Sequence, residues 1–194
     1  DSGKTRWLQR LYGKSKEIWG SKHPGKAVYL CATRPITSWA DTEHVGVWWD
    51  NRPDEYKLVR SGEFENKPWR NLRNWQRCEV IADYLLNTKS VLFIDDAHKL
   101  AGRKLQIARE CVLSASMYVI TVSQLNRMAP NLRTVVLRRD PEQIKLDSET
   151  AYDVTNVLMW FAILVSAGAG ATELALVLGG MKLLGTGRRA ARQD

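Results

Sequence analysis

The chain has 194 residues and a formal net charge of +8. That length suits one compact domain with an appendage, and the charge suits an anionic partner, nucleic acid or anionic lipid, unless it is a solvated basic surface. Three cysteines, Cys31, Cys78 and Cys111, are odd in number and lack metal-ligand spacing, which argues against a disulfide framework and for a reducing, cytosolic setting.

In chain order, the first residues read Asp1-Ser2-Gly3-Lys4-Thr5-Arg6. Gly-Lys-Thr is the end of a G-x-x-x-x-G-K-[ST] phosphate-binding loop, whose first glycine would fall before residue 1. Such a loop cradles phosphates with backbone N–H groups and a helix N-terminus. Lys4 would set its ammonium on the β- and γ-phosphates of ATP, and Thr5 its hydroxyl on Mg²⁺. Asp1, Ser2, Gly3, Lys4, Thr5 and Arg6 are therefore the candidate nucleotide contacts. From Lys4 onward, Trp7, Leu8, Leu11, Tyr12 and Ile18 recur at helical spacing, and the glycines at 20 and 25 end the run.

Residues 27–32 form a short β-like run. The stretch 34–69 then has no sustained period but holds Trp39, Trp48, Trp49 and Trp69 among Arg52, Lys57, Arg60 and Lys67. This insertion reads in three ways: bases stacked between aromatics and cations, an oligomer contact, or a small core pinning the insertion to the sheet. Residues 69–86 are helical in pattern, through Leu72, Trp75, Ile81, Ala82, Leu85 and Leu86.

Val91-Leu92-Phe93-Ile94-Asp95-Asp96 is an apolar run ending in two carboxylates. A strand of this kind delivers a carboxylate to the outer side of a nucleotide-bound metal, so Asp95 joins Thr5 as a candidate Mg²⁺ ligand. Asp96 follows where many ATPases carry a Glu that positions the attacking water. The shorter Asp reaches one methylene less, which favours nucleotide binding over vigorous hydrolysis. His98 reads as a packing or supporting residue. Another amphipathic helix is marked by Leu105, Ala108, Cys111, Val112 and Ala115, a third strand by residues 118–122 and a fourth by residues 134–137. Gln124 and Asn126, with Ser123 behind them, stand after the third strand where a polar side chain would sense the γ-phosphate. Arg127, Arg133, Arg138 and Arg139 are candidates for an arginine that reaches a neighbour's nucleotide. Alternating strands and helices predict an α/β fold, a parallel sheet flanked by helices. The strand leading into the phosphate loop would lie before residue 1.

Gly3-Lys4-Thr5, Ile94-Asp95-Asp96-Ala97-His98 and Val119-Ile120-Thr121-Val122-Ser123-Gln124 resemble the successive motifs of AAA+-type P-loop ATPases. The flavour is that of the transposon-associated and signal-transducing branches, and the ending at Gln124 also resembles DNA-translocase and phage-assembly ATPases. The resemblance covers roughly residues 1–140. It implies ATP and ADP as ligands, Mg²⁺, and a homo-oligomer, ring or otherwise.

Residues 154–172 contain no charged side chain; Glu173 interrupts, and residues 174–181 are apolar again. About 20 apolar residues span a bilayer, and the small residues at 166–171 suit close helix packing in lipid. As one helix, residues 154–184 would measure about 46 Å at 1.5 Å per residue, against a bilayer core of about 30 Å. A hairpin bending at 168–170 would keep Arg188, Arg189 and Arg192 on the cytosolic side with the ATPase. The other reading is a soluble helical lid. Two functions follow: an ATPase core, residues 1–147, held at a membrane through 154–184 and working as an oligomeric motor or switch, or a soluble AAA+ regulator acting on nucleic acid.

Overall fold

In the computed structural model every residue of the strand Val91–Asp95 is buried, because helices cover both faces of a sheet whose centre it occupies. The structure describes residues 3–53, 55–58, 60–146 and 165. Residues 3–146 form one unit, and all that follows concerns it.

The elements run α1 (Lys4–Gly13), α2 (Ser15–Trp19), β1 (Val28–Cys31), α3 (Thr37–Ala40), α4 (Glu43–Asp50), α5 (Asn74–Thr88), β2 (Val91–Asp95), α6 (Gly102–Ser114), β3 (Met117–Ile120) and α7 (Pro130–Leu137). The three strands are parallel in the order β1-β2-β3, with Cys31 opposite Asp95 and Ile94 opposite Ile120. The fold is thus α/β, a small parallel sheet between helices, as alternation of strand and helix predicts.

Side chains alternate across a strand, and this divides the core in two. Tyr29, Val91, Phe93, Met117 and Val119 face α1 and α2, meeting Leu8, Leu11, Tyr12 and Trp19. Leu30, Leu92, Ile94, Tyr118 and Ile120 face the other way, toward buried Ile81 and Leu85 of α5, Ala108 and Val112 of α6, and Leu132 and Val136 of α7. β3 is only half-buried at each position, since it pairs on one side alone among the described residues.

Four sequence expectations need correction. The fourth strand at 134–137 is instead the end of α7. Its β-branched residues favour a strand locally, yet Pro130 occupies the first turn, where its missing N–H costs nothing, and Leu132 and Val136, four apart, are buried on one helix face. Thr134 also donates its hydroxyl to the Pro130 carbonyl at 2.9 Å. The first helix is two, broken at Lys14. The helix expected from Trp69 starts at Asn74, after a 3₁₀ turn at Trp69–Asn71. The third strand ends at Ile120 rather than residue 122.

The insertion, which shows no period, folds as α3 and α4 followed by an irregular return. Trp39 and Trp49 are fully buried in the same core as β1 and β2. The Trp39 indole donates to the Cys31 carbonyl at 3.0 Å and the Trp49 indole to the Lys67 carbonyl at 2.8 Å. Of the three readings, the pinned small core describes it. The return is sewn to α5: Asp83, fully buried, accepts the Ser61 backbone N–H at 3.1 Å as well as the Ser61 hydroxyl, and Asn87 exchanges two bonds with the Lys57 backbone. Cys31, Cys78 and Cys111 are buried and unpaired, and burial pushes the Cys78 thiol up to about 12.

Candidate functional site

Parallel register sets the site. Asp95 ends β2 beside the end of β1, and the chain after β3 brings Thr121 alongside it. Asp95 is 1% exposed. A carboxylate so buried must be hydrogen-bonded, and two hydroxyls serve it: Tyr29 donates to Oδ2 at 3.0 Å and Thr121 to Oδ1 at 2.6 Å. The Thr121 oxygen in turn accepts the Asp96 N–H at 3.0 Å. The backbone closes around the same point, with Ala32 N–H bonded to the Asp95 carbonyl at 3.0 Å and Ala97 N–H to the Thr121 carbonyl at 2.9 Å.

Asp95 and Tyr29 lie on the face covered by α1. Tyr12 of α1 packs on the Tyr29 ring at 5.4 Å. Burial first, then the bond to Asp95, pushes the Tyr29 phenol far above its ordinary value, so it remains a donor. Thr5 sits two helical turns before Tyr12 on the same side of α1. Gly3 precedes the helix with φ +68°, in the left-handed region that favours glycine, and open space surrounds it. Among the described residues no side chain caps the helix, and its first turn holds no acidic residue; the first N–H groups of a helix have no intrahelical partner. Thr5 and Arg6 are exposed and Lys4 half-buried. Asp1 and Ser2 lie outside the described residues.

Asp96 differs from its neighbour in every respect. Its φ of 56° is left-handed, a conformation Asp tolerates. Its carboxylate is 28% exposed and pairs with the Lys99 ammonium at 2.7 Å, which holds that ammonium above its usual range. His98 accepts the Ser123 N–H on Nδ1 at 3.4 Å, a supporting contact between the ends of β2 and β3.

Gln124 and Asn126 are exposed, Gln124 extended and Asn126 inside a 3₁₀ turn. Neither is bonded to Asp95 or Asp96 in the structure. The polar groups that do reach Asp95 are Tyr29 and Thr121, which the sequence reading did not single out. A signal existed for Thr121: it alternates with Met117 and Val119, so it shares their face. Among the four arginines, Arg139 has a structural duty. Its guanidinium donates to the Val112 and Ala115 carbonyls at 3.1 and 2.8 Å and lies over the Tyr118 ring.

Thr5 and Asp95, the expected Mg²⁺ ligands, offer oxygen alone, the donor chemistry that suits Mg²⁺ with several retained waters. Two hydroxyls on Asp95 leave lone pairs free on a carboxylate that has about four, so Asp95 retains acceptor capacity for such an ion.

Comparisons of the chain with protein-family models, with curated proteins and with solved structures yield no match.

Proposed function

We propose that the chain is a Mg²⁺-dependent ATP-binding P-loop ATPase, held at a membrane by residues 154–184 and working as an oligomeric motor or switch. One observation carries the nucleotide site: the buried carboxylate at the end of the central parallel strand accepts from Tyr29, whose ring packs on Tyr12 of the helix that Gly3-Lys4-Thr5 begins. The uncapped N-terminus of α1 favours an anion. Lys4 would bind the β- and γ-phosphates, and Thr5 with Asp95 would hold Mg²⁺, which neutralises phosphate charge when bound. Tyr29 and Thr121 orient Asp95. Asp96 would orient the attacking water once Lys99 yields to it. Gln124 and Asn126, exposed after β3, are the groups that would sense the γ-phosphate. Membrane attachment rests on the uncharged run 154–172, which apart from residue 165 lies outside the described residues; no described helix is long and apolar enough to cross a membrane.

The test is nucleotide affinity and turnover measured side by side. Lys4→Ala is expected to abolish ATP binding while the melting curve stays unchanged, because alanine suits the first turn of α1. Asp96→Asn is expected to keep ATP affinity and slow turnover about a hundredfold or more, the range general-base groups contribute. Full ATP affinity in the Lys4 variant would refute the phosphate-loop assignment, and an unchanged rate would remove Asp96 from the reaction.

A further inference from the structure

On the sheet face away from α1, a groove of about 820 Å³ runs between α5, α6 and α7. Its lining carries Arg60, Arg103, Arg109 and Arg138 against Glu79 and Glu110. Arg60 and Arg109 share the single carboxylate of Glu110, at 2.8 and 3.0 Å, while Arg103 pairs with Glu79 at 3.0 Å. One carboxylate cannot neutralise two guanidinium groups, so the groove is net positive. A second hollow of about 510 Å³, lined by Lys67, Arg73 and Trp75, has no carboxylate among its lining residues. Arg103 joins the two, its guanidinium 4.3 Å over the Trp75 ring.

We propose that this track binds the phosphate backbone of a nucleic acid, with little regard to sequence. Guanidinium forks held in place by carboxylates and an indole are preorganised for phosphate oxygens. Arg103 and Arg109 stand about 9 Å apart along α6 at 1.5 Å of rise per residue, and a duplex presents one charge per about 1.7 Å of axis, so several phosphates meet several cations at once. A bilayer surface cannot follow a concave track, which sets anionic lipid aside. Trp75 already carries Arg103 on its ring and Phe64 at 6.0 Å, so the backbone, not the bases, is the recognised part. The site is separate from Asp95 and does not rest on the ATPase reading.

The experiment uses the full chain in non-ionic detergent, without ATP, and fluorescein-labelled oligothymidylate or a duplex of equal length. Affinity is expected to fall steeply between about 50 and 200 mM salt. Arg103→Ala with Arg109→Ala should weaken binding about tenfold and lower the log–log salt slope by about 2, while the lysine pair at both positions restores most of the affinity. Lys16→Ala with Lys22→Ala removes the same charge from the other face, and should change affinity less than about twofold. If the arginine double variant fails to fold, Lys67→Ala with Arg138→Ala, both exposed, makes the same test. Equal losses from both faces, no binding by the unaltered chain at low salt, or equal competition by polyglutamate or anionic vesicles would each overturn the proposal.

Discussion

At the scale of single residues, burial decides what each ionisable group can do. Asp95, buried, accepts from two hydroxyls, whereas Asp96, one residue on, stays partly exposed beside an ammonium. His44 shows the opposite outcome. Its ring packs on Tyr84 at 5.4 Å, and its Nε2 is buried without a hydrogen-bond partner among the described residues. Burial, then the nearby Lys26 ammonium, lowers its pKa from 6.5 to about 4. The folded state therefore resists a proton that the unfolded chain accepts below pH 6.5. Because the unfolded state binds more protons in that window, stability rises with pH there. His44 contributes fully above pH 6.5, and its contribution is lost as pH falls from 6.5 through about 4. Melting curves taken across that window should show a fall in Tm that shrinks by more than about half in His44→Gln. An equal fall in both proteins would mean that other groups govern the acid sensitivity.

At the scale of elements, the insertion depends on how closely α4 approaches the turn at Trp69–Asn71. Gly46, buried in α4, faces the Trp69 indole so closely that an added Cβ would stand 2.6 Å from its Nε1. That indole is not free to retreat. The Trp69 backbone N–H bonds Asp50 Oδ1 at 2.8 Å, and Arg77 lies 5.3 Å over the ring while bonding the Trp69 carbonyl. Alanine gains about 1 kcal/mol over glycine in helix propensity, but overpacking costs about 1–3 kcal/mol. Gly46→Ala should therefore lower stability by about 1–2 kcal/mol in urea unfolding. Trimming the indole, as Trp69→Leu, should make the same alanine harmless; a penalty that persists would place the strain elsewhere. The sequence alone could not announce this packing. The run Val91–Asp95 is legible because a fully buried parallel strand is uniformly apolar. Trp39 and Trp49 anchor through indole bonds to distant carbonyls, which leave no period to read. The residues 134–137 misled for a related reason, since the contact of Leu132 and Val136 with the core outweighs local β propensity. In the site, Asp95 is legible from its place after an apolar run, while Tyr29 and Thr121 become partners only through strand register.

At the scale of the whole molecule, the two ends of the chain make different demands on one charge balance. The net +8 could serve lipid headgroups, phosphates, or both. The concave track along α6 accounts for part of it on the described unit. The arginines at 188, 189 and 192 fit the other part, since cations beside a membrane segment are worth about 1 kcal/mol each on an anionic leaflet. A segment inserted among acyl chains resists an alkaline, high-salt wash, while an electrostatic contact does not, because high pH discharges lysines and salt screens the arginines that stay charged, but neither undoes burial of apolar area. The full chain should therefore remain in the membrane pellet under that wash, and a chain ending at Asp153 should leave it. Release of both would reduce 154–184 to a soluble lid and leave nucleic acid as the anionic partner. Retention of both would move the attachment into residues 1–153, where no described helix is long and apolar enough to span, and would point to a peripheral contact that the wash fails to break.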